Sequence, residues 1–164
     1  MLQKAFPLFC CLLLLVAAVL PVSSAAAKAP SFELSTLEGD QVSLQELTAD
    51  GRHLLLIFWT TWCPSCRQTM PEVDQLRSDY SPSDLSVLGI NAGWNDTRSR
   101  AASFRDKHGL DFPIGFDRES SISKKYSIRG VPTLFLIDPR GEIRYQGYSV
   151  NMQLLELLEK ISSE

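Results

Sequence analysis

Phe58-Trp59-Thr60-Thr61-Trp62-Cys63-Pro64-Ser65-Cys66 is the stretch on which the fold turns. It ends the apolar run Leu54–Trp59, which has no polar alternation and reads as a strand buried on both faces. Two threonines break the run. Two cysteines separated by two residues then open a segment in which Met70, Val73, Leu76 and Tyr80 form a helical stripe. Pro64 suits the first helical position, where its missing N–H would be unpaired anyway. A dithiol is therefore expected where a strand ends and a helix begins. Free backbone N–H groups and the positive end of the helix dipole favour a thiolate at such a junction.

The pattern extends in both directions. Upstream, Phe32 and Leu34, then Val42 and Leu44, alternate around the turn-like Glu38-Gly39-Asp40 and predict a short hairpin. Downstream, Leu85–Asn91 reads as a second strand, and Asp96 or Thr97 as the cap of a helix ending near Gly109. A short strand within Phe112–Phe116, a short helix carrying Ile122 and Tyr126, and the apolar strand Thr133–Ile137 follow. Asp138-Pro139-Arg140-Gly141 has the residue order of a type I turn. Beyond it, Ile143 and Tyr145 alternate with polar neighbours, as in a strand returning antiparallel. Leu154, Leu157, Leu158 and Ile161 make a closing amphipathic helix. The order predicts an α/β sandwich whose mixed central sheet is flanked by helices, with an N-terminal hairpin and a helical insertion near residues 94–127.

At 164 residues, 45% hydrophobic and 21% charged, the composition is that of an ordinary globular chain with one core. The formal net charge is −3, and basic residues occur singly or in pairs, which gives no nucleic-acid surface. Residues 1–27 stand apart. Lys4 is their one charged side chain, ahead of a short apolar run, Leu8–Leu20, and the small residues Ser23-Ser24-Ala25-Ala26-Ala27. This is the pattern of a secretory signal peptide. The other reading is a retained membrane anchor, although the run falls short of the roughly 20 residues of a span. Cys10 and Cys11 lie within the leader and would leave with it. Residues 28–164 form one domain and hold a single cysteine pair. One close pair is not a disulfide scaffold, and closing so small a loop constrains little unfolded-chain entropy. Zinc takes about four protein ligands, and His53 and His108 stand at no ligand spacing. No metal site is expected, and no cofactor beyond the Cys63–Cys66 disulfide itself.

Trp62-Cys63-Pro64-Ser65-Cys66, Pro71, and Ile128-Arg129-Gly130-Val131-Pro132-Thr133 together resemble the thioredoxin fold. The leader, the phrase Phe58-Trp59-Thr60-Thr61-Trp62, the insertion and the Asp-Pro-Arg-Gly hairpin are similar to the TlpA/ResA-type bacterial thiol–disulfide oxidoreductases, from about Ala29 to the end. The resemblance implies a thioredoxin-like three-layer sandwich with Pro132 cis and facing the dithiol. It implies Cys63 as an exposed nucleophile and Cys66 as a buried resolving thiol. Trp62, Pro64, Ser65, Val131 and Pro132 would shape the substrate groove. The implied activity is reversible exchange with protein disulfides outside the cytoplasm, in the periplasm or held at the inner membrane if the leader is retained. Pro64-Ser65 supplies neither a histidine nor a cation to stabilise the reduced thiolate, which favours a reductant. A DsbD/CcdA-type membrane reductase would supply electrons, with cytochrome c maturation or metal-centre assembly as destinations. The chain is expected to act as a monomer.

Two positions depart from these families. Ile57 stands where thioredoxins have a buried Asp, and Thr69 where ResA-type proteins have a Glu. Either carboxylate would help move a proton at the resolving thiol. Two alternatives remain. Thr60-x-x-Cys63 also occurs in peroxiredoxin-like peroxidases, although Leu56 stands where those have proline. A non-catalytic thioredoxin-fold binding module could use the pair only to lock its groove. Trp94, in the polar loop Asn91–Asp96, suits either a partner contact or a loop plug.

Overall fold

The computed structural model describes residues 26–161, so residues 1–25 of the leader, with Cys10 and Cys11, lie outside the described residues. Strands β1 (Glu33–Ser35) and β2 (Gln41–Ser43) pair antiparallel as the expected hairpin. Ser43 and Glu46 then form a capping box on a short helix α1 (Leu44–Leu47). The alternation of Val42 and Leu44 did not predict this helix. There follow β3 (His53–Trp59), α2 (Pro64–Asp79), β4 (Leu85–Asn91), α3 (Arg98–His108), β5 (Ile114–Phe116), α4 (Ser121–Lys125), β6 (Thr133–Ile137), β7 (Ile143–Gly147) and α5 (Met152–Ile161). Strand β5 starts after Pro113, which has no N–H to give a ladder.

The five-stranded sheet has the order β5-β4-β3-β6-β7. β3, β4 and β5 are parallel, whereas β6 and β7 run antiparallel to their neighbours. β3 is therefore central, and each of Leu54 to Trp59 is fully buried. Its alternate residues enter two different cores. Leu55, Ile57 and Trp59 pack with Met70 and Val73 of α2, Phe104 of α3 and Leu154 and Leu158 of α5. Leu54, Leu56 and Phe58 pack with Phe32, Leu34, Ile122 and Tyr126. Burial on both faces is why the run lacks polar alternation, and each such side chain contributes roughly 1.5–3 kcal/mol.

Strand register decides where the chemistry lies. Phe58 pairs with Thr133 and Trp59 with Asn91, so the ends of β3 and β4 and the start of β6 share one edge of the sheet. The dithiol segment, the loop after Asn91 and Val131-Pro132 all emerge there. The Asp138–Gly141 turn lies at the other edge, where Ile137 pairs with Leu54. In it the Gly141 N–H donates to the Asp138 carbonyl at 2.8 Å.

Candidate active site

The segment Thr60-Thr61-Trp62 leaves the buried end of β3 and delivers Cys63 to the amino end of α2. Cys63 has extended backbone angles, φ −77° and ψ 117°, and its own sulfur caps the helix. The backbone N–H of Cys66 donates to Cys63 Sγ at 3.1 Å. Pro64 occupies the first helical position, as its fixed φ and missing N–H favour. Cys63 and Cys66 are joined as a disulfide with their Cα atoms 5.3 Å apart, within the usual range for such bridges.

The cis peptide Val131–Pro132 faces this bond. The Val131 carbonyl oxygen lies 3.4 Å from Cys63 Sγ. In the oxidised pair that sulfur carries no proton, so this is a contact; once reduced, the thiol can donate weakly to the same oxygen. The next residue, Thr133, starts β6 and donates its hydroxyl to the Gly130 carbonyl at 2.7 Å. The loop that meets the dithiol is thereby tied to itself and to the sheet.

Structure and expectation differ at one important point. Cys63 is 4% exposed, against 0% for Cys66. Cys63 is the more accessible sulfur, but it is not the openly exposed residue the resemblance implied. The Val131 loop lies against it on one side and the first turn of α2 on the other. Trp62 is 48% exposed, Pro64 and Ser65 are exposed, Val131 is half-buried and Pro132 is buried. These residues and the two cysteines all lie at one edge of the molecule. Ile57 is fully buried in β3 and Thr69 is buried in α2, where the resemblance implied a carboxylate and these side chains supply none.

A second loop, between β4 and α3, holds the segment from the other side. Trp62 Nε1 donates to the Trp94 carbonyl at 2.6 Å. The Asp96 carboxylate accepts from the Thr61 N–H at 2.7 Å and the Thr61 hydroxyl at 2.8 Å. It also accepts from Asn91 Nδ2 at 2.8 Å and the Thr97 N–H at 2.9 Å. The cap of α3 is Thr97, whose hydroxyl oxygen accepts from the Arg100 N–H. Asp96, one of two candidate caps in the sequence, thus has a different job. Gly93 lets the loop turn: its φ is +72°, and a Cβ there would lie 2.5 Å from the Asp117 carbonyl oxygen.

Comparison with known proteins agrees with this geometry. The sequence model of the AhpC/TSA family matches residues 25–146. The chain is 33% identical over 145 residues to the thiol–disulfide oxidoreductase ResA of Halalkalibacterium halodurans, covering 87% of this chain and 80% of the relative. It is 36% identical over 118 residues to the thioredoxin-like protein YneN of Bacillus subtilis, covering 71% and 67%. Among solved structures, a thiol–disulfide oxidoreductase from Bacteroides fragilis superposes with a TM-score of 0.73 at 26% identity, over 82% of this chain and 99% of that one. The chain belongs to the AhpC/TSA family, with the thioredoxin-like thiol–disulfide oxidoreductases of the ResA type.

Proposed function

We propose that this oxidoreductase is an extracytoplasmic reductant of protein disulfides, working through a Cys63/Cys66 dithiol. The observation that carries the reading is the Cys63 sulfur at the amino end of α2, receiving the Cys66 N–H at 3.1 Å with the Val131 carbonyl 3.4 Å away. The Cys63 thiolate attacks one sulfur of a client disulfide. A Cys63–client S–S bond forms, the client's own S–S bond breaks, and one client thiolate leaves. Cys66, losing its proton, then attacks Cys63 Sγ. The Cys63–Cys66 bond forms, the mixed disulfide breaks, and the second client thiolate leaves. Two electrons and two protons have passed to the client. Trp62, Pro64, Ser65, Val131 and Pro132 form the groove, with the Val131 loop pairing its backbone with an extended client segment.

The direction rests on Pro64-Ser65, which brings no cation or histidine to stabilise the reduced thiolate. The leader-like pattern over residues 1–27 supports export. A reductant there needs a dithiol donor across the membrane, of the DsbD/CcdA type. Cytochrome c maturation or metal-centre assembly is the use that the family resemblance suggests. The chain works as a monomer.

The test is reduction of insulin disulfides with dithiothreitol as electron source. Wild type accelerates it and Cys63→Ser does not; equal rates would leave a non-catalytic binding module. Titration against glutathione is expected near −270 mV, about the thioredoxin value, whereas a result near −120 mV would make the protein an oxidant. The other reading is a peroxidase, from the spacing Thr60-x-x-Cys63; Thr60 Oγ1 is buried without a hydrogen-bond partner among the described residues. Peroxide consumption by the reduced protein is expected to match that of free cysteine, and a rate far above it would favour the peroxidase.

A further inference from the structure

We propose that Asp96 is a positioning residue for the dithiol: it holds the segment ahead of Cys63 so that the Cys63 sulfur stays poised against Cys66. The inference rests on dithiol–disulfide exchange by this pair.

An ionised carboxylate offers about four lone-pair directions, and all four are taken at Asp96. One oxygen, Oδ1, receives the Thr61 hydroxyl and the Thr97 N–H. The other, Oδ2, receives the Thr61 N–H and Asn91 Nδ2. Capping α3 does not require this, because Thr97 already caps it. Two of the four donors instead belong to a residue 35 positions earlier, two before Cys63. On the far side the carboxylate is anchored to rigid structure. Asn91 is fully buried at the end of β4, its side-chain oxygen accepts the Gly93 N–H at 3.0 Å, and its main-chain oxygen accepts the Asp117 N–H at 2.9 Å. The path runs from the sheet through Asn91 and Asp96 to Thr61, and so to the nucleophile. Hydrogen bonds to a charged group are stronger than neutral ones, which suits a tether on a half-buried loop.

The consequence is for the redox equilibrium. Closing the Cys63–Cys66 bond is favoured in proportion to the effective concentration of one thiol at the other, and that concentration rises as the intervening chain is held in place. Freeing Thr61 gives Cys63 more room, weakens the intramolecular disulfide, and raises the reduction potential. Asp96→Ala is expected to lower the dithiol–disulfide equilibrium constant about tenfold, a rise of about 30 mV. Asp96→Asn keeps one acceptor oxygen and should shift it less. Thr61→Val removes the hydroxyl donor but leaves the backbone bond and the carboxylate charge. A shift in that variant, about threefold, therefore reports the hydrogen bond and not the charge.

The experiment is glutathione titration of full-length wild type, Asp96→Ala, Asp96→Asn and Thr61→Val, with thermal melts alongside. Asp138→Ala is the control: one oxygen of Asp138 accepts from both the Arg140 and Glu142 N–H groups in the turn at the opposite edge of the sheet, and alanine removes it. That variant should lose stability with no change in potential. Raised potentials in the order Asp96→Ala above Asp96→Asn, together with a raised Thr61→Val value, establish the proposal. Potentials equal to wild type, with melting temperatures lowered as in Asp138→Ala, would reduce Asp96 to a loop brace and overturn it. If Asp96→Ala does not fold, the Thr61→Val potential decides. A wild type with no glutathione-titratable equilibrium would overturn the dithiol reading itself, a different outcome from an unshifted variant.

Discussion

The indole N–H of Trp62 donates to the main-chain oxygen of Trp94 at 2.6 Å, although Trp62 is 48% exposed. One edge of the ring is held while much of its surface stays open. A side chain ordered in advance loses little further entropy when a partner covers it. Trp62→Phe keeps an aromatic face but lacks the N–H, so the ring is free to turn away. In insulin reduction the expected result is a KM raised about three- to tenfold with kcat near wild type, the signature of lost uniform binding. An unchanged KM would mean that clients do not touch this ring.

The two sulfurs differ in what surrounds them. Cys66 is fully buried within the first turn of α2, whereas Cys63 keeps 4% of its surface and receives a backbone N–H. Donors and the helix dipole at Cys63 stabilise its thiolate, and the thiolate is the reactive form. In the reduced protein at neutral pH, iodoacetamide should therefore modify Cys63 at least about tenfold faster than Cys66. Peptide mass spectrometry after a timed quench measures the ratio. A Cys66→Ser variant should stall as the mixed disulfide with a client, and a Cys63→Ser variant should trap none.

What the sequence made legible was local. The unbroken apolar run of β3, the Cys-x-x-Cys at a helix start, the Glu38-Gly39-Asp40 hairpin and the Asp138–Gly141 turn are all short-range patterns with their own physical signatures. The Ser43-x-x-Glu46 capping box of α1 was equally local and could have been read. What escaped depends on residues far apart in the chain. No local pattern near Cys63 announces that the Val131 carbonyl, 68 positions later, lies against its sulfur, and only the resemblance to the thioredoxin fold implied that this loop faces the dithiol. Asp96 offers one local role, as one of two candidate caps of α3, and its tie to Thr61 exists only once β3 and β4 lie side by side. In the sequence Trp94 offers a partner contact or a loop plug, yet the group that meets the redox segment is its backbone oxygen.

Gly93 tests whether the β4–α3 loop supports the site. Its φ of +72° suits glycine, and an added Cβ would meet the Asp117 carbonyl oxygen, a backbone atom with little freedom to retreat. Gly93→Ala should cost at least about 2 kcal/mol in urea unfolding. Gly39→Ala is the comparison: φ is also positive, at +104°, but a Cβ there meets nothing within 4 Å. It should cost only the conformational part, about 1 kcal/mol. Equal losses at the two sites would mean that the loop yields to the added carbon.

Tyr126 is expected to dominate the alkaline dependence of stability. Its ring lies among aromatic neighbours, with centroids 5.3 Å from Phe58 and from Phe135. Its hydroxyl is buried without a hydrogen-bond partner among the described residues. Burial pushes its pKa well above that of a free phenol. The folded state therefore holds the phenolic proton to a higher pH than the unfolded state, whose tyrosines ionise near about 10. The associated stability is complete below that value and is lost as pH rises beyond it, because the unfolded chain then releases a proton that the folded chain keeps. Tyr145 is also raised by burial, partly offset by its hydrogen bond to the Asn151 side chain, so it leaves a shallower slope of the same sign. Tyr126→Phe should flatten most of the alkaline decline and, by removing an unsatisfied buried hydroxyl, match wild type or exceed it by about 1 kcal/mol at neutral pH. Urea unfolding of the oxidised protein between about pH 7 and pH 11 measures both effects. An alkaline decline as steep in Tyr126→Phe as in wild type would remove this tyrosine from the account.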